Sequence, residues 1–181
     1  ACNEAGECVS DTGDLCEEVS ACTDSPLPAD NFMSNLDWTG GCGDITLYAA
    51  SPDGTKEVYL FLGQELCQQA HDAEASIARS FTLPAPTDEA QLTLNLGSNV
   101  NHATCNDALD WENPIIIDHS FSATSGTISV SATPDGEDVE WASPAVVTVT
   151  ITDVVFTDAN GCTSTIESYT WTDVYVGWMM G

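Results

Sequence analysis

Residues Ala145–Trp178 read AVVTVTITDVVFTDANGCTSTIESYTWTDVYVGW, and this stretch decides the fold. Two runs rich in Val, Ile, Thr, Tyr and Trp flank Asp158-Ala159-Asn160-Gly161, a turn-forming segment between two strand formers, so a β-hairpin is expected. In the first arm Val147, Val149 and Ile151 alternate with Thr148, Thr150 and Thr152, which makes one face apolar and the other hydroxylated. After Asp153 the apolar pattern passes to Val154 and Phe156, the mark of a bulge. In the second arm Tyr169, Trp171 and Tyr175 fall on one face, and Val174, Val176 and Trp178 on the other, so this strand is expected to need cover on both sides.

Working outward, further strands announce themselves. Asp44–Ala50 and Glu57–Leu62 flank Pro52-Asp53-Gly54-Thr55, a turn with Pro and Gly where a hairpin requires them. Val58, Leu60 and Leu62 alternate with Tyr59 and Phe61, the pattern of a central strand. Leu92, Leu94 and Leu96 make a half-buried strand ending at Gly97. Ile115, Ile117, His119, Phe121 and Ala123 form one face of another, and Ser125-Gly126 is expected to turn it into a strand carrying Ile128, Val130 and Ala132. Between Gln64 and Arg79, Leu66, Ala70, Ala73 and Ile77 keep helical spacing, although Ile77, Phe81 and Leu83 also fit a strand. The expected fold is all-β, an antiparallel β-sandwich or partly open barrel, over residues 31–181. Residues 1–30 form a short, acidic, cysteine-rich N-terminal extension closed by the linker Ser25-Pro26-Leu27-Pro28.

Composition narrows the function. A chain of 181 residues with 43% hydrophobic residues can bury a real core. Its net charge is −27, with 29 acidic residues against Lys56 and Arg79. That field repels phosphate backbones and anionic lipid heads, so nucleic acid is excluded as a partner. Two physical readings of the charge remain, a salty or divalent-rich medium that screens it, or plain solubility outside the cell. No apolar run is long enough for a membrane span, and no signal peptide begins the chain, which reads as a mature exported form.

Eight cysteines, Cys2, Cys8, Cys16, Cys22, Cys42, Cys67, Cys105 and Cys162, point to disulfides and an oxidising, extracellular or cell-surface location. No C-x-x-C pair occurs, which removes redox and zinc-ribbon motifs. Spacing suggests local bridges among Cys2, Cys8, Cys16 and Cys22, with Cys42 joined to Cys67 and Cys105 to Cys162. An even thiol count also favours a disulfide at Cys2 over lipidation.

No catalytic motif stands out. His119 lies in phase with Ile117 and Phe121 and is expected in the core; His71 and His102 share no ligand spacing with it. Glu57, Glu65, Glu140 and Glu167 stand in or beside strands, as the acid pair of a small β-sandwich glycosidase would. Calcium is the cofactor that hard oxygen donors would favour, at Asp135, Glu137 and Asp138, at Asp158 with Asn160, or at Asp11, Asp14 and Glu17, though none follows an EF-hand spacing. Trp38, Trp111, Trp141, Trp171 and Trp178 offer stacking surfaces for a polysaccharide, as in a carbohydrate-binding module. The apolar end of the chain, with Val174, Tyr175, Val176 and Trp178, offers a strand for self-association or for another surface protein. The expectation is therefore a non-enzymatic structural or adhesive protein, a subunit of an extracellular filament or surface assembly built by strand or tail exchange.

Overall fold

The computed structural model describes residues 22–106, 111–137 and 142–177. Its strands are β1 (Trp38–Cys42), β2 (Ile45–Ala50), β3 (Lys56–Leu62), β4 (Ile77–Leu83), β5 (Ala90–Ser98), β6 (Ile116–Pro134), β7 (Ala145–Thr157) and β8 (Thr163–Val176), with one short helix, α1 (Leu66–Asp72), and single 3-10 turns at Phe32–Asn35 and Val100–His102. All pairings are antiparallel, in the order β1-β2-β3-β5-β6-β7-β8, with β4 also on β6. The sheet curls into a half-barrel, the partly open form of the expected all-β fold.

The C-terminal hairpin is β7 and β8, paired from Thr157↔Thr163 to Ala145↔Val176. Asp153 sits at φ 51°, and the buried positions change there from Val147, Val149 and Ile151 to Val154 and Phe156, as the sequence predicts. Asp173 adds a second irregularity at φ 52°, with a register shift against β7 between Val147 and Val149. That step corrects the expected faces. Val176 is buried like Trp171, while Tyr175 is 48% exposed. The hydroxylated outer face is left to water, so cover on both sides is not needed.

β6 is the strand that turns one layer into the other. Its first part pairs with β5 from Ile116↔Ser98 to Ser122↔Thr93, and its second part lies between β4 and β7. The expected turn at Ser125-Gly126 is instead a bend within one continuous strand. Gly126 takes φ 133°, and a Cβ there would stand 2.8 Å from Val154 Cγ2, so the bend needs glycine.

The open sides of β1 and β8 meet across the core. Gly177 N donates to the Gly43 carbonyl, and Trp171 Nε1 donates to the Tyr48 carbonyl at 2.9 Å. Gly41 fits there because it lacks a side chain; a Cβ would lie 2.6 Å from Leu47 Cδ2 and 2.8 Å from Val176 Cγ1. Leu47, Leu60, Leu94, Val147, Val149, Ile151 and Phe156 fill the interior. The segment 64–79 splits between the two readings: α1 occupies its first half, and β4 starts at Ile77.

The disulfides differ from the expected pairing. Cys22 joins Cys162, and Cys42 joins Cys105. Both bridges tie a loop to a distant element across 140 and 63 residues, contacts that spacing along the chain does not reveal. Cys22 is thus not in a local bridge, and the end of the acidic extension is pinned to the β7–β8 turn. Cys67 is a free thiol, buried at the start of α1, where its Sγ donates to the Asp44 carbonyl at 2.9 Å and its amide to Asp44 Oδ1 at 3.0 Å. Burial first, then the Asp44 charge, pushes the thiol far above its ordinary pKa, which leaves it unreactive. Cys2, Cys8 and Cys16 lie outside the described residues, as do Asp11, Asp14, Glu17, Asp138, Glu140, Trp141 and Trp178.

Candidate functional site: an open strand edge

Between Ile116 and Phe121, β6 has a partner on one side only among the described residues. β5 occupies that side, while β7 ends at Thr157, and its Phe156 pairs with Ala123. The other row of backbone donors and acceptors is therefore open. Natural sheets usually blunt such an edge with charge, proline or a covering loop. Here the edge carries Ile116 at 49% and Ile117 at 48% exposure, preceded by Ile115 at 38% and Trp111 at 86%. Apolar side chains gathered beside an unpaired edge, on a chain of net charge −27, are the surface feature least explained by solubility.

Local sequence builds this edge. Asn99 Nδ2 donates to the Pro114 carbonyl at 3.1 Å, fixing the entry into β6. Gly97 admits the close approach: a Cβ there would lie 1.9 Å from the Ile116 carbonyl oxygen, and the β5–β6 register shifts between Leu96 and Gly97. His119, expected in the core, is exposed, its ring stacked on Phe121 at 6.1 Å. The sequence pattern failed here because alternation marks a strand with two distinct faces, and burial depends on whether another layer covers one of them.

A polar chain, buried at Glu57 and Asn95, braces the edge from behind. One row of the sheet runs Trp38, Ala50, Glu57, Asn95, Ser120. Within it Ser120 Oγ donates to Asn95 Oδ1 at 2.9 Å, and Asn95 Nδ2 donates to Glu57 Oε2 at 3.1 Å. Glu57 is fully buried, and its Oε1 has no hydrogen-bond partner among the described residues. Burial raises its pKa, opposed more weakly by the Thr104 hydroxyl and the Asn95 amide. Cys105, beside Thr104, is held by its disulfide to Cys42, and the nearby His102 ring stands edge-on to Trp38 at 5.8 Å.

The remaining candidates are dispersed. Glu57 is shut inside β3, Glu65 stands at a left-handed position before α1, and Glu167 is exposed on β8 with its amide bound to Asn31 Oδ1. Asp158 serves its own turn, accepting from Ser25 Oγ at 2.8 Å and from the amides of Asn160 and Cys162 at 2.8 and 2.9 Å; the Ser25 bond is the largest cause of its lowered pKa. Asp135 and Glu137 are not gathered with a third donor: among the described residues no group of three or more His, Cys, Asp or Glu side chains is placed to hold a metal. Trp171 is core, Trp38 and Trp111 are exposed, and Val174 and Val176 are engaged with β7 in their own sheet.

A second surface is hydroxylated. Across β4, β6, β7 and β8 run the rows Ser80, Ser129, Thr150, Thr170 and Thr82, Thr127, Thr152, Ser168. Ser80, Ser129, Ser131, Thr148 and Thr150, together with Arg79, line an open trough of about 550 Å³. Comparison with family models, with characterised protein sequences and with solved structures finds no match.

Proposed function

We propose that this chain is an exported structural or adhesive protein of the cell surface, and that it joins its partners by adding a strand to the open side of β6. The observation that carries the reading is the edge from Ile116 to Phe121, unpaired among the described residues, with its exposed isoleucines. Strand addition would supply main-chain hydrogen bonds for affinity and the apolar side chains for fit. Two long-range disulfides suit an oxidising medium, and the work is contact, with no reaction required of it.

Beads coated with the chain should adhere to the surface of cells that export it or to one another. Beads coated with the Ile117→Lys variant should do neither. Equal retention of the two overturns the reading.

The hydroxylated trough favours a second reading, binding of a neutral polysaccharide, because its rows of Ser and Thr offer uncharged donors and acceptors, with Arg79 as the one charged side chain in the lining. Migration through gels loaded with neutral polysaccharides should then be retarded, and Thr150→Glu should restore it. Unretarded migration in every gel removes this reading.

A further inference from the structure

We infer that the strand completing the open β6 edge is the same edge of a second copy of this chain, paired antiparallel about a two-fold axis at His119. The inference rests on the reading of β6 as a docking edge, and it names the partner.

Register arithmetic leads to it. Residues opposed in an antiparallel pair point to the same face, and side chains alternate along a strand. A two-fold axis normal to the sheet must therefore lie at a residue opposed to its own copy, never between two residues. Among the described residues the open segment runs from Ile116 to Phe121, bounded on the far side by β7, whose Phe156 holds Ala123 and whose Thr157 therefore stands opposite Ser122. The residues at its middle are Asp118 and His119, and an axis at Asp118 would oppose two carboxylates, so the axis falls at His119. Centred there, Ile117 meets Phe121 of the second copy, Asp118 meets Ser120, and His119 meets His119. The edge from Ile117 to Phe121 is used, and each copy's Ile116 abuts the end of the other copy's β7.

The chemistry of these pairs is self-complementary. Ile117 gains the Phe121 ring, and the His119–Phe121 stack already present in each copy is extended across the axis. The only formally charged side chain in the segment is Asp118, and it faces a serine hydroxyl, so no like charges are opposed. A basic partner would find one carboxylate along this edge, which gives it little to pair with. The net charge of −27 still repels a second copy at long range, and salt screens that repulsion beyond about 8 Å at physiological strength. Association should therefore strengthen as salt is added. An isologous contact of this kind closes on itself and gives a dimer.

Single-cysteine cross-linking tests the axis. Paired Cα atoms at the axis stand about 4.5–5.5 Å apart, within the reach of a disulfide. Under mild oxidation at seawater ionic strength, full-length His119→Cys should become a covalent dimer. Ile116→Cys, also exposed but far from its own copy across that axis, should stay monomeric. Far-UV spectra of both variants check that they fold. Sedimentation of the unmodified chain should show dimer that grows with salt and is lost in Ile117→Lys. Cross-linking no better at position 119 than at 116, or a strict monomer at high concentration and high salt, overturns the two-fold pairing. If the chain is monomeric yet its beads bind cells through Ile117, the second copy is the wrong partner and the docking edge stands. Should position 119 cross-link selectively while bead adhesion ignores Ile117, self-pairing stands and the adhesive reading falls.

Discussion

Trp171 and Tyr48 close the half-barrel: the indole Nε1 of the last strand donates to the Tyr48 carbonyl of the second at 2.9 Å, and the ring is 2% exposed. No ladder bond joins β8 to β2, so the indole carries a contact between strands that are not neighbours in the sheet order. Trp171→Ala should cost about 3–5 kcal/mol, as removal of a buried aromatic does. Trp171→Phe keeps most of the packing and strands the carbonyl, at about 1–3 kcal/mol. Urea unfolding of the two variants measures both, and equal small losses would contradict this role.

Glu57 gives a pH dependence of definite sign. Its pKa is raised by burial, so the folded chain holds the proton more tightly than the unfolded chain does. That contribution is fully present below the unfolded carboxyl pKa and is lost as pH rises through the folded one. Glu57→Gln should therefore be more stable than the parent at neutral pH, by about 1–3 kcal/mol, since it removes a buried carboxyl that ionises on unfolding. Melting curves should converge at acid pH. A difference that is constant with pH would show that the carboxyl is not ionising on unfolding.

The thiols should behave as two classes. Loss of the Cys22–Cys162 bridge in the double Ala variant should cost about 2–5 kcal/mol while leaving the strand spectrum intact, because the bridge restrains the unfolded chain more than it shapes the sheet. Cys67 should resist alkylation in the native protein and react only after unfolding, read by peptide mass mapping. Rapid native alkylation of Cys67 would contradict its burial.

Gly126 should tolerate no side chain. Its φ of 133° and the crowding by Val154 predict a loss of about 1–3 kcal/mol or more for Gly126→Ala, measured by thermal melting. Gly161, with φ 83° and nothing within 4 Å, should lose less on the same change.

Local pattern revealed most of the strands and little of the site. The alternation in β3, β5 and β7 and the phase change at Asp153 were readable because each depends on neighbours within a few residues. β1, Trp38-Thr39-Gly40-Gly41-Cys42, has no alternation, and its strand form comes from pairing with β2. Disulfide partners and the fate of His119 depend on which layers meet. Ser125-Gly126 has turn chemistry that serves a bend, since β4 and β7 pair with the residues beyond it and keep the strand continuous. The open edge was not legible: Ile115 and Ile117 read as one face of a strand, and an absent neighbour leaves no mark in the sequence.

Amide hydrogen exchange along β6 tests the central claim most directly. In dilute low-salt solution the amides of Ile116–Phe121 that do not face β5 should exchange quickly, and in concentrated high-salt solution they should become protected while those of Thr148–Ile151 are unchanged. Association without protection of that segment, or equal protection in both conditions, would contradict an open edge that recruits its partner.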